Sequence, residues 1–227
     1  MEPREHVSPD LASYASRLRF PGDVEVAFRR YHTRNSLVIV RAAIILTIVL
    51  YGLFGILDIH AAPLSKHAIW FIRFAVVIPV LLGILFFSFH PYFPRVLQPM
   101  MVLVVLTGGA GILAMINLES HRELGYQTYY AGLILVIIAT HSIYRLRFAY
   151  ATLSSILVVL GYELIVIFHQ KLLVSGGGTS LFISNNFFFL SSMILGMTTS
   201  YSLGVCRRTS KKFIESAHCS LKIEKSW

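Results

Sequence analysis

The chain has 227 residues, of which 56% are hydrophobic and 14% charged, with a mean hydropathy of +0.68; a soluble domain holds about 45–50% apolar and about 25% charged residues. That surplus excludes an ordinary water-soluble fold and points to lipid. The net charge of +9 does not mark a nucleic-acid surface, because the basic residues sit beside apolar runs and not on a domain face.

Residues 1–36 are polar. Within them FPGDVEVAFRRYHTRNS places Phe20, Val24, Phe28 and Tyr31 three to four residues apart, among Arg29, Arg30 and Arg34. This spacing predicts a short amphipathic interfacial helix leading into the membrane; the alternative is a solvated linker whose charges enforce topology. No cleavable leader is expected, since no small-residue cleavage site follows a short apolar core.

Residues 37–204 carry the apolar runs. About 30 Å of hydrocarbon at about 1.5 Å per residue requires roughly 20 apolar residues. Six stretches qualify: Leu37 to Leu57, Ala68 to His90, Val96 to Leu118, Tyr126 to Tyr144, Ala149 to His169 and Leu181 to Gly204. They lack the alternation of barrel strands, so the expected fold is an all-α integral membrane bundle of six transmembrane helices. Residues 205–227 form a basic tail, read as a cytoplasmic helical extension and too short to bury a core of its own. Cys206 and Cys219 both fall there and are expected to remain thiols.

Sixteen of the 20 lysines and arginines lie on one side of this arrangement: seven from Arg4 to Arg41, then Arg95, then Arg145 and Arg147, then six from Arg207 to Lys225. Lys66, Arg73, Arg122 and Lys171 make up the other side. The positive-inside rule therefore places both termini in the cytoplasm, with the segments near Asp58 to His67, Glu119 to Gly125 and Gln170 to Ser180 facing outward.

Two charges fall well inside spans, Arg73 and Glu163, each carrying an insertion cost of about 2.5–3.5 kcal/mol. Both are expected in the outer half, where they could pair. Asp58, Asn117, Gln127, Tyr129, Tyr130, Asn185 and Asn186 reach the same layer, which predicts a ligand pocket or buried polar layer. Otherwise Arg73 snorkels to the surface and the amides and tyrosines form an interfacial belt. Ser192, Gly196, Ser200 and Gly204 form a stripe of small residues suited to helix packing within the bundle or to dimerisation, and Thr107, Gly108 and Gly111 suit close packing too. His60, His67, His121 and His169 show no metal-ligand spacing. No nucleophile elbow, phosphate loop or paired metal-binding carboxylates are present, so no catalytic residue, metal or cofactor is expected.

Seven strings then stand out in order: LRFP at 18–21, LYGLFGILD at 50–58, RFAVVIPVLL at 73–82, SFHPYF at 88–93, YYAGLILV at 129–136, RLRFAYATL at 145–153 and NNFFFLSSMILGM at 185–197. Together they resemble the six-helix membrane-associated sensor domain found N-terminal to the catalytic domain of bacterial class III adenylate cyclases. The resemblance implies a signal-transduction input module in a bacterial inner membrane. It also implies a homodimer, and a cyclase or other cytoplasmic output domain on another chain as partner. The family's catalytic domain, which makes cyclic AMP, has no counterpart here, so the chain is expected not to be an enzyme. The alternative is a small membrane transporter or channel using Arg73 and Glu163; it predicts an internal repeat or polar residues near the midplane, and neither is evident.

Overall fold

In the computed structural model the described residues are 22–118, 128–169 and 178–224, with side chains described over 37–118, 128–168 and 178–206. Among them the chain forms six helical segments. These are α1 (Gly22–Ala61), α2 (Lys66–Phe87), α3 (Phe93–Leu118), α4 (Tyr130–Ser142), α5 (Phe148–Phe168) and α6 (Gly178–Glu224). Described residues contain no strand.

Five of these helices, all but α4, contain stretches long and apolar enough to cross a membrane: Leu37–Ala61 in α1, Gly178–Cys206 in α6, and the whole of α2, α3 and α5. This is the make-up of a multi-pass α-helical membrane protein. Helix α4 differs from the 19-residue span expected at 126–144. It runs 13 residues, about 20 Å of rise, and residues 126 and 127 lie outside the described set. At its other end Tyr144 has left the helix, and its hydroxyl shares a 2.7 Å hydrogen bond with that of Thr47. The turn that follows holds Arg145 at φ 53°, a left-handed conformation that breaks helix continuity.

The segment expected as an amphipathic helix leading into the first span is continuous in backbone with that span, one helix from Gly22 to Ala61. Its side chains before Leu37, with the start of its pattern at Phe20, lie outside the described residues. Helix α6 likewise continues past the apolar stretch, through the basic tail to Glu224.

Helix α3 is the centre of the bundle: half of its apolar window is buried, against 22–33% for the other four. It packs against α1, α2, α4 and α5, while α6 lies across α4 and α5. Its glycines explain how. A Cβ at Gly111 would lie 2.5 Å from both Tyr51 Oη and Val77 Cγ2, and one at Gly109 would lie 2.7 Å from Val158. Bare backbone lets three helices approach α3 at once, the packing mode that membrane bundles favour.

Outward-facing positions carry the lipid-compatible surface, including Val38, Phe86, Phe168 and Leu195. At the end of the bundle opposite the α1–α2 turn, Arg41 donates to Ser88 Oγ and Ser88 O at 3.2 and 2.7 Å and lies over the Phe89 ring, stitching α1 to the end of α2.

Gly111→Ala is expected to destabilise the protein by about 1–3 kcal/mol through overpacking, whereas Gly83→Ala, with nothing within 4 Å of its new Cβ, should be neutral or slightly stabilising. Thermal unfolding in nanodiscs checks this; equal midpoints for the two variants would remove α3 from the centre of the fold.

Candidate functional site

The candidate site begins with a proline. Pro79 has no amide hydrogen, and its ring would collide with the carbonyl four residues back in a regular helix. Immediately before it, Phe71–Val77 is wound as a π-helix, and the Ile78 amide reaches back five residues to Arg73 O. The widened turn removes the conflict, and Arg73 sits within it. Such π-helical turns recur at functional positions.

From that turn Arg73 reaches into the bundle with 3% of its surface exposed. Its Nε and Nη2 donate to Asp58 Oδ2 and Oδ1, both at 2.9 Å, a bidentate pair with the wholly buried carboxylate of α1. Nη1 donates to Tyr51 O at 2.9 Å, and Nη2 also faces Met115 Sδ at 3.6 Å. Tyr129, just before α4, donates its hydroxyl to Asp58 Oδ1. Tyr51 lends its ring to the guanidinium at 5.1 Å and its hydroxyl to Gly108 O at 3.0 Å. Trp70 Nε1 donates to Gly55 O at 3.0 Å. One ion pair thus gathers α1, α2, α3 and the start of α4. Two charges in so apolar an interior are tolerable only when geometry and extra hydrogen bonds offset their desolvation, and here they do.

The expected pairing of Arg73 with Glu163 is not formed. Arg73 is satisfied by Asp58 because α1 and α2 are a short helical hairpin, which sets residues on either side of the turn face to face. Glu163 belongs to a second cluster, between α5 and α6. There Asn186 faces the Glu163 carboxylate and donates to Phe182 O at 3.1 Å. Asn185, buried at 2% exposure, donates to Tyr162 Oη at 2.7 Å. Just beyond Glu163, Ile165–His169 forms the other π-helical stretch, so each of these two charges lies in or beside a widened turn.

Aromatic rings join the clusters. Tyr130 meets Phe189 edge-on at 6.1 Å, and Phe189 meets Tyr162 at 4.8 Å. Of the polar residues expected at this level, Asn117 remains exposed on α3, outside both clusters; Gln127 lies outside the described residues. Sequence reasoning missed Tyr51, Met115 and Tyr162. Tyr51, Gly55 and Asp58 are spaced i, i+4, i+7, one helical face, and that stripe was the available signal.

No family model and no curated protein matches this chain. The geometry therefore stands alone.

The small-residue stripe of α6 lies partly inside the fold: Ser192, Gly196 and Ser200 are buried, and Gly204 is half-buried. A Cβ at Gly196 would lie 2.8 Å from His141 Cδ2. His141, also missed, is buried on α4, with Nε2 3.3 Å from Ser155 Oγ on α5. Among the described residues no group of three or more His, Cys, Asp or Glu side chains could hold a metal ion. Of the four histidines considered, His60 and His67 are exposed, and the side chains of His121 and His169 lie outside the described set. Cys206 is an exposed free thiol, and the side chain of Cys219 lies outside the described set.

Arg73→Leu and Asp58→Leu are each expected to cost about 3–5 kcal/mol, because each strands a buried charge, and the double variant should cost much less than their sum. An Arg73→Leu, Glu163→Gln pair should be additive within about 0.5 kcal/mol. Unfolding free energies from a double-mutant cycle check both; additivity for Arg73 and Asp58 would contradict the clamp.

Proposed function

We propose that this protein is a membrane-embedded sensor or regulatory input module of six spans, with α4 completing the count and both termini in the cytoplasm of a bacterial cell. Its polar clusters lie in the outer half of the inner membrane and receive a signal there. Helix α6 carries the resulting change in packing to a cytoplasmic output module outside these residues, a cyclase or another enzyme, on a chain that pairs with a second copy.

The observation that carries this reading is the course of α6. One unbroken helix holds Asn185 and Asn186 in the polar layer, packs Ser192, Gly196 and Ser200 inside the bundle, and continues to Glu224 beyond the apolar stretch. A rigid element that spans both ends of a bundle can transmit a packing change only if the packing has discrete alternatives. The reading requires such alternatives of the two ion- and amide-based clusters that the rings join. The charge distribution supports the orientation, since the basic residues gather at the end away from Asp58, Arg73 and Glu163.

A fusion of α6 to a dimeric cyclase catalytic domain tests the reading. Arg73→Gln and Asp58→Asn are expected to change cyclic AMP output several-fold at equal membrane abundance. Output indifferent to every polar-layer variant would remove the sensor assignment, and solute flux through proteoliposomes that depends on Glu163 would replace it with a transporter.

A further inference from the structure

Glu163 is a span carboxylate without a cationic partner: among the described residues the one ion pair is Arg73 with Asp58. Its Oε1 is buried and accepts no hydrogen bond. The same holds for Oδ1 of Asn185, a residue 98% removed from solvent. These two oxygens share one seam. Tyr162 and Glu163 are consecutive on α5, Asn185 and Asn186 are consecutive on α6; the bond from Asn185 to Tyr162 ties the pairs together, and Asn186 faces Glu163 beside it. On either side of the seam stand lipid-facing side chains, Leu164 and Phe168 from α5, Ile183 and Phe187 from α6.

Two buried acceptors, one of them acidic, call for a partner that donates hydrogen bonds and carries positive charge. An anion would repel Glu163 and leave both oxygens unpaired. A quaternary ammonium has no N–H to give. A divalent metal needs more oxygen ligands than this seam supplies. We propose that the α5–α6 seam binds a primary ammonium group through Glu163 and Asn185, presented by a lipid headgroup or by a free amine. The proposal rests on the reading of the polar clusters as the ligand-receiving layer, and it names the chemistry of that ligand.

The test uses the full chain in phosphatidylcholine nanodiscs, with ethanolamine titrated against tetramethylammonium chloride, and in parallel nanodiscs containing phosphatidylethanolamine. A primary amine is expected to raise the unfolding midpoint by about 5 °C or more at saturation, and the quaternary salt is not. A rise with ethanolamine identifies a soluble amine as sufficient; a rise only with phosphatidylethanolamine identifies the lipid. Glu163→Gln should lose the rise. Equal responses to primary and quaternary ammonium, or an undiminished rise in Glu163→Gln, overturn the proposal. If that variant does not fold, the comparison of the two salts on the unmodified protein decides alone. Amine binding that leaves the cyclase fusion silent would keep the site and end the sensor reading. No binding, with output still sensitive to Arg73→Gln, would end the site and keep the sensor.

Discussion

The buried pair of Arg73 and Asp58 constrains the polar end of this bundle. An isolated charge inside a membrane is expensive enough that its partner dictates where neighbouring helices must stand. Here the guanidinium takes Asp58 through two parallel bonds and still has donors for Tyr51 O and Met115 Sδ. Those demands fix the depth of α1 against α2, bring α3 alongside, and hold Tyr129 over the carboxylate. The π-helical turn ahead of Pro79 aims Arg73 so that all of them are met. Without it, a regular helix would place the Arg73 side chain on a different face.

Close helix approach is the second requirement. Gly109 and Gly111 let α3 touch α5, α1 and α2, and Gly196 lets α6 touch the His141 ring on α4. Between lipid and helix there is little hydrophobic gain from association, so backbone contact and polar glue must supply it. Both are present: glycine at the crossings, and tyrosine, asparagine and serine hydroxyl or amide groups between them. The proposed function uses the same groups. A ligand that engages Glu163 and Asn185 acts on residues that also hold α5 to α6, so binding and packing share one set of bonds.

The long apolar stretches were legible in the sequence because a span is a one-dimensional feature: about 20 residues of hydrocarbon-compatible side chain, whatever lies around them. The polar residues of the two clusters were legible for a related reason, since charged and amide side chains stand out against an apolar run. Partner choice was not. Arg73 and Glu163 were expected at one depth, but depth says nothing about which helices are neighbours. A short turn between α1 and α2 makes Asp58 the adjacent carboxylate, and α3 fills the space towards α5. The small-residue stripe was readable in the same way, as a period of four along α6, while its neighbour His141 was not, because a single histidine near a helix end carries no period. Helix α4 was less legible at its end: apolar composition suggested a span over 126–144, whereas the helix ends at Ser142, followed by Tyr144 bonded to Thr47 and Arg145 in a left-handed turn.

Whether Arg73 is bound to Asp58 or to Glu163 can be measured directly. Carbon–nitrogen dipolar recoupling in membranes containing the isotope-labelled protein reports which carboxyl carbon lies beside the Arg73 guanidinium. Strong transfer is expected from the Arg73 side-chain nitrogens to Asp58 Cγ, and none to Glu163 Cδ. Transfer to Glu163 Cδ, with Asp58 silent, would contradict the clamp on which the polar end of the bundle depends.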